Sequence, residues 1–404
     1  MHSSIINNKK EAPIGWAFLI LFALLMMGNN LFTKITLLIF IVYFYAKNYK
    51  TFFSIFTQIH DAYWLILFEL WAVASISWSV VPSKTIELVT TQIAFFLLSI
   101  LAAYHMRDKD LSKSLKFSAY IIISSLFLYS LLFPGSSFGP SGYEAYYPNK
   151  NILGIVSALC FLIIIYAQKN KLADYFFAVA AFIFLIISQS KTSLGLAILI
   201  IAITTLMQVI SIVRKKQSKF AIGLQNFILK ILYYIAYIVI FSSIFLRDEI
   251  ASFLIQNIPY KFLTGRGEIW STVLKQTKDN LLVGIGPGSF WEAGLSSEIA
   301  QTSLFTKYPG WIENLVAADG GYIDIIAALG FIGLAILIAS YVKNMRSIFE
   351  NNELPDSKII FVLILFFIGH NFTESSAYHS TNSLWFIYLT LSFYLIFKRR
   401  KNIF

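Results

Sequence analysis

The chain is dominated by continuous apolar runs of roughly 15–22 residues, which suit helices crossing a hydrocarbon layer and leave no alternation for a β-barrel. Such runs recur along the whole length, and 57% of the 404 residues are hydrophobic against 13% charged. A mean hydropathy of +0.70 exceeds what a soluble domain of this size needs. The expected fold is therefore all-α, a polytopic transmembrane helical bundle of about 12 spans. The spans are expected at 14–28, 31–46, 63–81, 85–105, 114–133, 151–167, 174–188, 192–213, 227–246, 321–342, 358–372 and 384–397. Residues 1–246 then carry spans one to nine, 247–320 form one long outer loop, and 321–404 carry spans ten to twelve.

The net charge of +11 does not point to nucleic acid, because of where it sits. Lys9 and Lys10, Lys47 and Lys50, Arg107 with Lys109 and Lys113, and Lys169 with Lys171 fall on alternate connections. So do Arg214 to Lys219, Lys343 with Arg346, and the tail Lys398-Arg399-Arg400-Lys401. That distribution is the positive-inside pattern, with membrane lipid as the partner and both termini on the cytoplasmic side. The single cysteine, Cys160, lies in an apolar run, so no disulfide or thiolate metal site forms within one chain. The first apolar segment lacks a small-residue cleavage site and reads as a retained span.

The opposite face gathers the chemistry. It holds Trp78-Ser79 to Pro82, Lys150 in the Tyr147–Gly154 stretch, and Lys191 among Ser188, Ser190, Thr192 and Ser193. Hydroxyls and an ammonium at a helix start suit a phosphate; alternatively Lys191 snorkels while Ser190 and Thr192 cap the helix. Arg266 stands between Gly265 and Gly267, where a guanidinium fork can grip a phosphate, or simply pair with Glu268. Gly284 to Gly288 lacks the Gly-Lys-Ser/Thr of a P-loop and reads as a tight turn between short helices. Asp319, before Gly320-Gly321, is either a helix cap or a general base. Asp324 lies at the membrane boundary. His370 and Glu374, with His379 nearby, are acid/base or sugar-binding groups, or satisfy one another. Glu69 is a paired structural carboxylate or a hydroxyl-binding one. Tyr322, Trp270 and Trp291 are available to stack on sugar rings.

With these residues in place the chain resembles the O-antigen ligase and polymerase superfamily of integral-membrane glycosyltransferases. The resemblance runs from Trp78-Ser79 to the Asn371 to Ser375 motif, and rests on the order of the motifs, their shared face and the long loop. It implies an enzyme of the bacterial inner membrane with a periplasmic active face. Such an enzyme moves a glycan from an undecaprenyl-diphosphate-linked oligosaccharide onto a glycan or lipid A-core acceptor, inverting the anomeric centre, without metal or other cofactor. Lys191 matches a family arginine, Arg266 matches the loop arginine, and Asp319-Gly320 stands where the family has His-Asn. The resemblance thus implies Arg266 and Lys191 on the diphosphate, and Asp319 or His370 as base. Lys150, Ser190, Thr192, Glu268, Tyr322, Asp324 and Glu374 are the expected substrate-binding residues. A transporter or flippase of lipid-linked sugars is the alternative; it calls for charges near the midplane and matched broken spans.

Overall fold

The computed structural model describes residues 58–107, 110–140, 142–167, 172–216, 244–257, 265–294, 309–313, 315–350, 356–379 and 382–401, with isolated positions between. The expected spans 14–28, 31–46 and most of 227–246 lie outside these, as do Lys9, Lys10, Lys47, Lys50, Lys109, Lys169, Lys171 and Lys219. The described chain is helical: α1 (Tyr63–Ala74), α2 (Pro82–Met106), α3 (Leu111–Leu132), α4 (Lys150–Tyr166), α5 (Leu172–Ile187) and α6 (Lys191–Lys216) come first. The long loop contributes α7 (Arg247–Asn257), α8 (Arg266–Gln276), α9 (Ser289–Glu292) and α10 (Pro309–Glu313). Then follow α11 (Gly321–Glu350), α12 (Ser357–His370) and α13 (Ser383–Lys401). A two-stranded hairpin, Phe138–Gly139 with Gly142–Tyr143, joins α3 to α4.

Among the described residues five helical stretches are long and apolar enough to cross a membrane. They are Ile59–Ser77, Pro82–Met106, Leu111–Leu132, Lys191–Gln208 and Gly321–Glu350. Shorter apolar helices cover Lys150–Tyr166, Leu172–Ile187, Ser357–His370 and Ser383–Lys398. Each span expected within the described residues falls on one of these helices. Helix starts follow local chemistry: Pro82 opens α2, Asp110 accepts from Lys113 N at 2.9 Å, and Asn149 accepts from Ile152 N at 3.0 Å.

The core is centred on α13, which packs on α2 and α12. Trp385, Phe386, Tyr388, Phe393, Tyr394 and Phe397 are all buried, so α13 is enclosed nearly all round. The outer helices leave Leu128, Leu131, Phe176, Ile198 and Leu206 exposed, the pattern of a lipid-facing surface. Two buried polar ties brace the other end of the bundle. Lys116 of α3 pairs with Asp174 of α5 at 2.8 Å. Asp356, just ahead of α12, accepts from Ser112 Oγ at 2.6 Å and from Tyr394 hydroxyl at 2.8 Å.

One departure from a simple span matters for the site. Helix α11 is broken at Gly330, which has φ of 70°. The broken turn leaves carbonyls and amides that an apolar medium cannot satisfy. Residues 281–286 of the long loop supply the partners. Ile285 N and Gly286 N donate to Ala327 O and Ala328 O at 2.9 Å, and Trp71 Nε1 donates to Leu329 O at 2.9 Å. In return Phe331 N donates to Leu281 O at 2.8 Å and Ile332 N to Leu282 O at 3.2 Å. The expected turn between short helices is thus also a backbone splice into α11. The Trp78-Ser79 motif seats it: Trp78 Nε1 donates to Val283 O at 3.3 Å, and Ser79 Oγ shares hydrogen bonds with Thr85 and Ser289.

A Cβ on Gly330 would stand 2.2 Å from Leu282 O, and its left-handed backbone disfavours any side chain. Gly330→Ala is expected to destabilise the protein by about 1–3 kcal/mol, the usual cost of such strain. A lowered Tm of the detergent-purified variant checks this; an unchanged Tm would mean the splice is dispensable.

Candidate functional site: a buried arginine between carboxylates

Arg266 is the first residue of α8, just after the positive-φ Gly265. Its Nη2 donates to Glu374 Oε1 at 2.7 Å and lies 3.6 Å from Asp319 Oδ2. Arg266, Asp319 and Glu374 side chains are 11%, 23% and 17% exposed, so the cluster is largely withdrawn from water. Arg266 Nε is buried and has no hydrogen-bond partner among the described residues. The cluster joins three distant stretches: the long loop, the approach to α11, and the turn after α12.

Asp319 is aimed at Arg266 by its backbone. It takes a left-handed conformation with φ of 49°, one that aspartate tolerates better than most residues. On one side Ala318 N donates to Asp324 Oδ1 and Trp270 Nε1 donates to Ala318 O, both at 2.9 Å. On the other, Gly320 N donates to Ser375 Oγ at 3.0 Å, and Ser375 Oγ donates to Asp324 Oδ2. Gly321 N donates to Glu374 O at 3.1 Å. At Gly320 a Cβ would come within 2.6 Å of Trp270 Nε1, so only glycine lets the chain pass the indole. Asp324 therefore acts as the clamp that fixes the peptide units around Asp319.

The turn after α12 is equally constrained. Asn371 Oδ1 accepts from Ser376 N at 3.1 Å and Ala377 N at 2.7 Å. Glu374 N donates to His370 O at 3.0 Å. His370 is buried, with Nδ1 2.9 Å from Ser376 Oγ and its ring stacked on Phe366, while Nε2 has no protein partner. His370 and Glu374 thus do not satisfy one another through their side chains. Tyr322 donates its hydroxyl to Ile368 O at 2.8 Å and packs edge-on against Phe372. Trp270 is buried, so Tyr322 and Trp270 serve as framework here. Glu268 has its carbonyl on the hydroxyls of Ser271 and Thr272, both at 2.9 Å, while the carboxylates on Arg266 are Glu374 and Asp319.

Lys191, Ser190, Thr192 and Lys150 form a second group, at the starts of α6 and α4. Ser190 Oγ donates to Ser193 Oγ at 3.0 Å, Ser190 N donates to Ser188 Oγ at 3.3 Å, and Lys191 is exposed. Gly154 of α4 lies against this turn, its Cβ position 2.3 Å from Ser190 Cβ. Leu196 of α6 packs on Gly369, next to His370, so this group stands at the same end as the Arg266 cluster. Among the described residues no hydrogen bond or ion pair joins Lys191 to Arg266. Among the described residues neither carboxyl oxygen of Glu69, within α1, has a hydrogen-bond partner, and both are buried. A groove of about 490 Å³ between α1 and α11 is lined by none of these residues. No group of three or more His, Cys, Asp or Glu among the described residues is arranged to hold a metal ion.

The sequence reading assigned no role to Ser375 or Asn371, which organise the site. The signal available was the Gly320-Gly321 pair, marking a close approach, beside a motif dense in hydrogen-bonding side chains.

Electrostatically the cluster carries more acid than base. Burial pushes the Glu374 carboxyl up to about 7, against the pull of Arg266 and with a push from the Asp319 charge. Burial raises Asp319 as well, again opposed by Arg266. Glu374 is thus a carboxyl able to exchange a proton near neutrality, beside a permanently charged guanidinium.

With that geometry in hand, one curated protein is informative. The exopolysaccharide production protein ExoQ of Rhizobium meliloti (strain 1021) is 22% identical to this chain over 325 residues. That alignment takes in 74% of this chain and 68% of ExoQ. No family model matches the chain. The similarity places the chain beside a protein of exopolysaccharide production, and the apolar helices place it among membrane-embedded proteins.

Removing the guanidinium leaves Asp319, Glu374 and Asp324 crowded without a cation. Arg266→Ala is expected to cost about 3–5 kcal/mol, the range for breaking a buried ion pair. Because burial raises the Glu374 and Asp319 carboxyls in the folded protein, and Arg266 opposes that rise, ionising them without Arg266 opposes folding. The loss is therefore small near pH 5 and grows as pH climbs through 7. Thermal melts at both pH values check this, and Glu374→Gln added to Arg266→Ala is expected to restore part of the loss at high pH.

Proposed function

We propose that this protein is a membrane glycosyltransferase of the O-antigen ligase and polysaccharide polymerase type. It takes a glycan from an undecaprenyl-diphosphate-linked donor and joins it to an acceptor hydroxyl at the outer face of the inner membrane. The observation that carries the reading is the Arg266, Asp319 and Glu374 cluster, a charged and largely buried site where the long loop meets the ends of α11 and α12. The similarity to a protein of exopolysaccharide production supports it independently. A growing glycan, rather than lipid A-core, is the acceptor that fits a relative so named.

In this reading Arg266 holds a phosphate oxygen of the donor and offsets the charge that builds as the diphosphate leaves. Lys191 is the second cation, brought to bear from the start of α6. The acceptor oxygen attacks the anomeric carbon, the bond from that carbon to the phosphate oxygen breaks, and undecaprenyl diphosphate departs with the electron pair. Asp319 takes the acceptor proton; it is the carboxylate fixed by its backbone yet only 3.6 Å from Arg266, so it senses the same charge. One displacement inverts the anomeric centre. No divalent ion is invoked, because the cations of Arg266 and Lys191 supply the charge. Asp324 fixes the peptide units around Asp319, and Glu374 holds Arg266 in the empty site. His370, buried against Phe366, braces the turn that carries Glu374.

Loss of a general base typically costs a factor of about 10²–10⁴. Asp319→Asn is expected to reduce polysaccharide formation by that order in a deletion strain complemented with the variant. Arg266→Lys is expected to fall short of wild type, since an ammonium cannot offer a planar fork. Glycan length on gels, with mass spectrometry of lipid-linked intermediates, reads both. Wild-type polysaccharide from Arg266→Ala would remove the reading, and flux of lipid-linked sugar without a new glycosidic bond would replace it with transport.

A further inference from the structure

Arg266 uses only part of its donor edge. Nε and Nη2 lie on the same side of a guanidinium and together form a fork. Glu374 occupies the Nη2 tine at 2.7 Å, with Asp319 3.6 Å from the same nitrogen, and the Nε tine is buried without a partner. A phosphate presents two oxygens at the spacing of the fork, whereas Glu374 supplies one. An anionic group therefore gains the complete fork by displacing Glu374 from Nη2.

Charge decides what happens to the displaced carboxylate. The groups facing Glu374 are Arg266 from α8, Asp319 ahead of α11, and His370 at the end of α12. Asp324 is linked to the same turn through Ser375. The single guanidinium is already shared by Glu374 and Asp319. Two phosphate charges brought beside them, with Glu374 still ionised, would set several negative groups against that one cation in a poorly solvated pocket, where like charges repel strongly. The His370 ring is held by Ser376 and Phe366, while Glu374 occupies the Nη2 tine of the guanidinium fork. Neutralising Glu374, the carboxyl that loses its hydrogen bond to Nη2, relieves that repulsion at the point where it arises.

We propose that Glu374 is a proton-coupled gate on Arg266: the donor's diphosphate replaces it on the guanidinium fork, and Glu374 takes up one proton from solvent as it leaves. This rests on the reading that a diphosphate-linked sugar is the donor. The Glu374 carboxyl, already raised by burial to about 7, is pushed well above that value once two phosphate charges stand beside it, and so stays protonated in the complex above pH 7. The same gate explains why an arginine meant for phosphate is held by a carboxylate at all. It keeps the site neutralised while empty, and it makes inner-site binding stronger where the outer medium is acidic.

The test uses the full-length protein in detergent and a synthetic probe, P1-farnesyl-P2-glucosyl diphosphate. Both phosphates of this probe are diesters, so it does not itself titrate between pH 6 and 9. Isothermal titration in buffers of different ionisation enthalpy counts protons taken up on binding. The expected result is uptake approaching one proton per probe above pH 7. The Kd then weakens by about tenfold per pH unit there and is flat below. Glu374→Gln is expected to bind without uptake, at all pH values as tightly as wild type does at pH 6. Asp319→Asn is expected to keep the uptake, which assigns the proton even if Glu374→Gln does not fold. Binding by wild type with no proton uptake would overturn the gate and leave the proposed function standing. Uptake persisting in Glu374→Gln, or lost in Asp319→Asn, would overturn it too, by assigning the proton elsewhere. A probe that binds at no pH would overturn the donor reading and the gate together.

Discussion

An apolar surrounding gives a backbone amide or carbonyl nothing to bond to, and this protein's most consequential feature is how it meets that constraint where a span is interrupted. The break at Gly330 releases five backbone groups in the interior of α11. Four are taken up by residues 281–286 and one by the Trp71 indole. The pairing fixes the long loop against the bundle by main-chain bonds, which do not depend on particular side chains and so do not drift. Everything the loop carries, α8 and Arg266 above all, inherits that anchorage.

The site is built on the same logic at smaller scale. Asp324 and Ser375 hold the peptide units on either side of Asp319, and Trp270 reaches across from α8 to Ala318. Arg266 and Glu374 then close the triangle between the loop, α11 and the turn after α12. Each element is tied to the other two before any substrate is considered. Such over-determination is what keeps an aspartate in a left-handed conformation and two carboxyls on one cation, arrangements that would relax if any edge were free.

How much of this was legible in the sequence follows from the range over which each signal acts. Among the described residues the span positions were readable because an apolar run is a local property: each helix begins within a few residues of its run, although α11 continues past it to Glu350. Arg266, between two glycines, and Asp319, just ahead of the Gly320-Gly321 pair, stood out because a charged residue beside glycines in an otherwise apolar chain is locally odd. The partner of Arg266 was not readable. Glu268 is two residues away in sequence, while Glu374 is separated by 108 positions, and only the fold brings it near. The break at Gly330 was equally hidden, since Leu329-Gly330-Phe331 looks like any stretch of membrane helix. The isolation of Glu69 depends on what surrounds it and leaves no trace in its neighbours along the chain.

The enclosure of α13 has a consequence for assembly. A helix buried on every side at the centre of the bundle, Trp385 to Phe397, is also the last of the described helices to be synthesised. The earlier spans must therefore wait, laterally open in the lipid, with the aromatic slot between α2 and α12 unfilled until α13 slides into it. Any form that lacks α13 is therefore an open-centred bundle, with the aromatic faces of α2 and α12 bare to the lipid.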